Sequence, residues 1–450
     1  MKYLLSLFLV TLIVIPYASA LPIINEATPQ VPQEYQELYS TLKTSLDSFS
    51  ANLTASSPSE VGSLILGAEL LPANSNRGEA LLASDTMKSV TLYLDRLKEL
   101  GVSGVTFPVG YPLYTPSFPR YSDYVQFYKD VVQEVRKRGM VVEIESSVLF
   151  ANSPFSPITF DYSKLTFQQF EAQRKQMISA IIQDLQPDYL DLGSEPGTQY
   201  ALTGYSEFNS PDSYTAYVNY ILDGLNRGST KLGAGSGTWN GPEYVENLAG
   251  DSNLDFIALH VYPVVGPCLQ RILTFANIAK QHGKRVVMDE AWLYKVGTLK
   301  TTSVAANTDI FRNDAFSFWA PLDQEFLVSM VTAAKTAGID YISPFWSTLF
   351  FSYIDYDSTT AALSYGDVTV ALNRAASQNI LNDQFSSTGL FYKQLAIGYS
   401  TSIVASNLSS TQSTTTSFTA WKSMGVGFML LVVLGVGAAA VVAVIFARRR

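Results

Sequence analysis

Residues 254–292 read LDFIALHVYPVVGPCLQRILTFANIAKQHGKRVVMDEAW. The first eight form an apolar, strand-forming run, residues 268–281 carry apolar side chains at helical spacing, and residues 285–290 (RVVMDE) return to a strand. Strand, helix and strand in immediate succession make the repeating unit of a parallel sheet, because parallel neighbours need a crossover and a helix supplies it.

Outward from this unit the pattern recurs. Strands are expected at residues 64–69 (LILGAE), 104–109 (GVTFPV), 141–146 (VVEIES), 189–194 (YLDLGS), 231–236 (KLGAGS), 254–261, 285–290 and 340–345 (DYISPF). Asp85 and Gly101 punctuate one intervening helix, and Ser122 and Gly139 another; further helices are expected near 166–185, 212–226, 242–249, 268–281, 323–337 and 388–397. Eight such alternations predict an α/β fold closed as a (β/α)8 TIM barrel over residues 61–399. An open doubly wound sheet is the rival, but its first turn usually carries a Gly-rich phosphate fingerprint, and none follows residues 64–69.

The ends carry address signals. Residues 1–20 place one lysine before an apolar run and close on Ala18-Ser19-Ala20, the pattern of a cleaved export signal, followed by an N-terminal extension over residues 21–60. Residues 424–447 hold no charge, long enough for a transmembrane helix, and Arg448, Arg449 and Arg450 follow as a short cytoplasmic tail. Residues 400–423 are rich in Ser and Thr and read as a solvated stalk. The expected location is therefore the cell surface, with the barrel external, and the sequons at Asn52 and Asn407 are candidate glycosylation sites. With Cys268 as the single cysteine, no internal disulfide can staple the fold. A formal charge of −9 argues against nucleic acid as a partner. Aromatic residues reach 12 %, more than the filling of a core alone would require, and sugar-stacking surfaces would use the surplus.

In a barrel of this kind the active site lies at the C-terminal strand ends. The fourth strand runs into Gly193-Ser194-Glu195-Pro196 and the seventh ends Asp289-Glu290-Ala291-Trp292, so each delivers a carboxylate to the rim. Two carboxyl groups are what glycoside hydrolysis needs: one protonated to assist the leaving oxygen, the other ionised. His260 and Tyr262 stand two apart and so share a face of the sixth strand. Trp346 follows the eighth strand, and Trp239, Trp292, Tyr111 and Tyr114 are further strand-end aromatics suited to sugar stacking. His282, the only other histidine, belongs to the opposite rim, which leaves no histidine cluster for zinc and no implied cofactor.

The Glu-Pro after strand four, the Glu ending strand seven, the His-x-Tyr-Pro of strand six and the Trp after strand eight together resemble clan A glycoside hydrolases over roughly residues 60–400. That resemblance implies Glu195 as acid/base, Glu290 as nucleophile, Tyr262 as its hydrogen-bond donor, Trp346 as the floor of the cleaved subsite and retention of configuration. Two positions depart from the clan's pattern: Ser194 stands where it usually has Asn, and GVTFPVGY offers no arginine on strand two. The expected function is a membrane-anchored extracellular retaining glycosidase acting on polysaccharide or surface glycan. The alternative is an inactive carbohydrate-binding surface protein on the same barrel.

Overall fold

The computed structural model describes residues 30–54, 64–298 and 308–412. The chain divides into two compact units, Met1–Ser400 and Thr401–Arg450. In the first, eight strands pair in parallel in chain order and β1 closes on β8: β1 Ile65–Glu69, β2 Gly104–Pro108, β3 Val141–Glu145, β4 Tyr189–Asp191, β5 Lys231–Gly237, β6 Phe256–Val261, β7 Arg285–Ala291 and β8 Tyr341–Pro344. This is the expected (β/α)8 barrel, and each strand lies within its expected segment or a residue beyond it.

The barrel interior is layered by the two-residue period of the strands. At the lower end Tyr189, Phe256, Val287 and Tyr341 pack around Ala258. Glycines make room for these rings: a Cβ on Gly233 would stand 2.0 Å from the Phe256 ring, and one on Gly67 would stand 2.5 Å from the Tyr341 hydroxyl. One period further along, the interior turns acidic, with Glu143, Asp191 and Asp289 buried on β3, β4 and β7. Glu69, Glu145 and His260 follow near the mouth.

Helices wrap the barrel along the amphipathic runs. Cys268–Gln281 matches its expected span residue for residue, and Phe167–Leu185 opens on a capping box between Thr166 and Gln169. Ser122 does not cap its helix, which runs from Tyr121 to Lys137: Arg120, in a left-handed conformation with φ 61°, makes the turn into it instead. Arg174, fully buried on Phe167–Leu185, donates to Ser146 Oγ at 2.9 Å, Leu192 O at 2.9 Å and Tyr217 Oη at 2.9 Å. It ties the ends of β3 and β4 together and so fixes the frame from which Glu145 and Glu195 project.

Residues 36–54 of the N-terminal extension form a helix, Gln36–Thr54, that buries Leu42, Leu46, Phe49 and Leu53. It lies against Ala320–Ala337 through Lys43 to Glu325 at 3.1 Å and Ser50 to Ser329 at 3.0 Å. This helix thus belongs to the barrel's compact unit. The long connection after β8 holds a helix, Tyr365–Leu381, capped by Ser364 accepting from the Asp367 amide. The last helix, Ser387–Gln412, continues in helical backbone into the first part of the segment expected to be a solvated stalk. Among the described residues no helix is long and apolar enough to cross a membrane. The export signal at 1–20, the span at 424–447 and the tail at 448–450 lie outside the described residues.

Candidate active site

Glu195 owes its position to the glycine two residues before it. Gly193 has φ 143°, and a Cβ there would meet Gln199 Nε2 at 2.7 Å and Tyr214 Oη at 3.2 Å, so only glycine allows the chain to turn at this point. Gly193 O accepts from Tyr214 Oη, which fixes the turn. Pro196 then starts the helix Pro196–Thr203, leaving Glu195 as the residue before its first turn.

Glu290 owes its position to a bulge. Between Ala258↔Val287 and His260↔Glu290, β6 advances two residues and β7 three, and β7 gains the same extra residue against β8. A bulge re-aims side chains. Here it lets Asp289 and Glu290, neighbours that strict alternation would send to opposite faces, both approach His260, whose Nε2 is 3.6 Å from Asp289 Oδ1 and whose Nδ1 is 3.2 Å from Glu290 Oε2.

His260 Nδ1 also lies 2.9 Å from Glu195 Oε1, so one ring nitrogen bridges the two glutamates that the sequence pairs. Glu195, His260 and Glu290 each bring one such atom within 4.8 Å of the others. Tyr262 Oη donates to Glu290 Oε2, and the Tyr294 ring stacks on Tyr262 with centroids 4.3 Å apart. Burial alone would discharge His260, but the carboxylates of Glu290, Asp289 and Glu195 outweigh it and hold the imidazole protonated well above its usual range.

These groups open into a cleft of about 1190 Å³. Glu195, Glu290, His260, Tyr262, Ser194, Trp239 and Trp346 all line it, as does one face of Tyr365–Leu381, so the long connection after β8 builds a wall of the cleft. Trp346 takes a left-handed backbone conformation, φ 50°, and is half-buried with its ring against Phe311 and Phe345. Trp239 is half-buried and lies across Gly237, where a Cβ would stand 2.2 Å from the indole. Ser194 is buried at the cleft floor.

Three expected sugar contacts stand elsewhere. Trp292 is fully buried and does not line the cleft; it packs near Phe350 with Lys295 Nζ 5.7 Å from its ring centre. Tyr111 is also fully buried off the cleft, its hydroxyl donating to Gln173 at 2.7 Å, and Tyr114 is likewise in the core. A strand-end aromatic can turn toward the helices as readily as toward the mouth, and these rings have apolar neighbours on the helix side.

Glu69 and Glu145, which close β1 and β3, were not singled out by sequence although the strand-end rule applies to them equally. Glu145 lines the cleft, and its carboxyl is pushed well above the usual range by burial, then by Glu290 and Glu143. Glu69 accepts from Asn74 Nδ2 at 3.1 Å and is pushed up to about 8, chiefly by burial. Asp191 is pushed up to about 6 by burial, with His260 and the Gly193 amide acting against it. Arg77, from the segment after β1, is the one Lys or Arg among the described residues that line the cleft.

These raised acids bind protons more tightly folded than unfolded, so their stabilisation is complete at low pH and is lost as pH rises through about 6 for Asp191 and about 8 for Glu69. Thermal unfolding should therefore shift to lower temperature between about pH 5 and about pH 9, and Glu69→Gln should flatten the upper part of that slope. A melting temperature that rises over the same range, in wild type and variant alike, would contradict this account of the barrel interior.

No family model matches the sequence, and no curated protein matches it. Solved structures that resemble the chain include proteins of GH5_18 and a GH30 endoxylanase. One is the GH5_18 protein of Bifidobacterium longum subsp. longum, at 13 % identity over 75 % of this chain and 80 % of that one, TM-score 0.49. Another is the exo-beta-1,4-mannosidase Op5Man5 from Opitutaceae bacterium strain TAV5, at 16 % identity over 74 % of this chain and 59 % of that one, TM-score 0.42. A third is the endo-1,4-beta-mannanase of Rhizomucor miehei, at 14 % identity over 71 % of this chain and 97 % of that one, TM-score 0.40.

Proposed function

We propose that the chain is a retaining glycoside hydrolase in which Glu195 is the acid/base and Glu290 the nucleophile. The observation that carries this reading is the bridge itself. Two carboxylates from the ends of β4 and β7 converge on His260 Nδ1, at 2.9 and 3.2 Å, with atoms from both within 4.8 Å of each other, at the floor of a cleft large enough for a saccharide. Retaining enzymes hold their carboxyl groups about 5 to 5.5 Å apart and inverting ones about 6.5 to 9.5 Å, to admit a water. The close approach here favours the retaining arrangement.

In this reading Tyr262 and the protonated His260 steady the negative charge of Glu290 until it attacks the anomeric carbon. Glu195 gives its proton to the departing oxygen and later takes one from the incoming water. Trp346 and Trp239, both half-buried in the cleft, offer aromatic faces to the C–H face of a pyranose. The test is hydrolysis of a panel of aryl glycosides together with mannan, xylan and glucan. Release of phenol or reducing ends by the wild type, absent in Glu290→Ala, is expected; binding without cleavage across the whole panel would favour the carbohydrate-binding alternative, which Ser194 in place of an asparagine keeps in view.

We propose further that the barrel acts outside the cell, anchored by residues 424–447, a reading supported by the uncharged run and the three terminal arginines. Protease added to intact cells should then release an active soluble fragment. Release only after lysis would contradict that orientation.

A further inference from the structure

Below the paired glutamates, three buried side chains point at a common space without bonding to one another. His260 spends Nδ1 on Glu195 and Glu290, which leaves Nε2; that nitrogen is buried and has no hydrogen-bond partner among the described residues. Asp289 Oδ1 faces it at 3.6 Å, and among the same residues neither Asp289 oxygen has a hydrogen-bond partner, nor has Glu145 Oε1. One ligand-capable atom from each of Glu145, His260 and Asp289 lies within 4.8 Å of the other two, and the three residues are 4, 5 and 0 % exposed.

The spacing is too long for a hydrogen bond and suited to something else. Two atoms each about 2.1 Å from a tetrahedral ion stand about 3.4 Å apart, close to the separation of Nε2 and Oδ1. The charge balance points the same way: Glu143, Glu145, Asp191, Asp289 and Glu290 are all buried here, while β2 contributes no arginine or lysine. Arg174 bears on Asp191, and His260 bears on Glu143, Asp289 and Glu290. Leaving so many buried carboxyl oxygens unanswered is costly unless protons or a cation supply the partner.

We propose that Glu145, Asp289 and Nε2 of His260 form a binding site for a divalent transition-metal ion directly beneath Glu195 and Glu290. One imidazole and two carboxylates suit Zn²⁺ or Mn²⁺ better than the all-oxygen shell of Ca²⁺ or a thiolate-seeking ion. The second shell is already in place. A metal-bound histidine almost always gives its other N–H to a carboxylate, and Nδ1 lies on Glu195 and Glu290. Without the ion the Nε2 proton answers the surrounding carboxylates, and the ion takes over that position. Because Glu145 and His260 line the cleft, ions enter from its open side. Two-residue alternation from the interior Val287 already turns Asp289 inward, and the β7 bulge brings Glu290 to the mouth beside it. The proposal stands on this ligand geometry and does not rest on the hydrolase reading.

The test uses the full-length chain, stripped with chelator and dialysed at neutral pH against Zn²⁺ or Mn²⁺, with retained metal counted by elemental mass spectrometry. One ion per chain is expected for at least one of the two metals. Asp289→Asn and Glu145→Gln, which keep side-chain shape, should each weaken retention at least tenfold, whereas Asp191→Asn, an equally buried acid of the neighbouring strand, should retain the ion. No retained ion in the wild type overturns the site, and that arm stands whether or not the variants fold. Retention unchanged in both ligand variants, or lost equally in Asp191→Asn, also overturns it, because the ion would then be held elsewhere or by diffuse charge. Glycoside hydrolysis measured on the same wild-type sample reports separately on the hydrolase reading.

Discussion

Glu290→Ala is expected to lose turnover of natural and activated glycosides alike, by about 10⁴-fold or more, equivalent to about 5.5 kcal/mol in the barrier. The loss follows from the site's construction. Tyr262 donates to Glu290 Oε2 and His260 Nδ1 stands 3.2 Å from the same oxygen, so two donors are aimed at one carboxylate that the β7 bulge has turned toward them. Removing it leaves no atom placed to form the glycosyl-enzyme bond, whatever the leaving group. Circular dichroism should show the barrel intact, because the deleted group stands among like charges and stabilises no apolar core. Retained hydrolysis of an activated aryl glycoside by this variant would remove Glu290 from the role of nucleophile.

Glu195→Ala should behave differently, and the difference is diagnostic. Turnover of natural glycosides should fall by about 10²- to 10⁴-fold, the usual contribution of a general acid. An aryl glycoside whose phenol leaves without a proton should keep its first step, so a burst of phenol followed by slow turnover is expected. The glycosyl-enzyme then waits for a base to activate water. Azide, which attacks without such help, should restore turnover and appear in the product. If the variant cleaves both classes of substrate at wild-type rates, Glu195 is only a charge on the rim, and its 2.9 Å contact with His260 serves structure alone.

The barrel was legible because its signals are local and repeated. Most strands are short apolar runs, the intervening helices repeat an amphipathic spacing, and the count of eight follows from simple alternation. The same period reveals Glu195, His260 and Tyr262 as residues near strand ends. It does not reveal the β7 bulge, since one inserted residue leaves no mark in composition; a strict two-residue period keeps only one of Asp289 and Glu290 inside the barrel. Sequence also cannot say which side of the strand a terminal aromatic takes. Trp346 and Trp239 turn to the cleft, Trp292 and Tyr111 to the core. The helix Tyr365–Leu381 was missed despite its Ser364-to-Asp367 cap, because its apolar face is weak and its inner side is the wall of an open cleft rather than a core. Glu69 and Glu145 obey the rule that found Glu290 and went unread only because no short motif surrounds them.

If Glu290 is the nucleophile, it forms a covalent bond to the sugar that labelling can trap. The wild-type chain would be incubated with the 2-deoxy-2-fluoro analogue of whichever aryl glycoside it cleaves fastest, digested, and its peptides weighed. A single glycosyl adduct is expected on the peptide containing Glu290, formed as activity disappears. An adduct on another carboxylate, Glu145 or Glu195 included, or complete hydrolysis of the analogue with inverted product and no adduct, would contradict it.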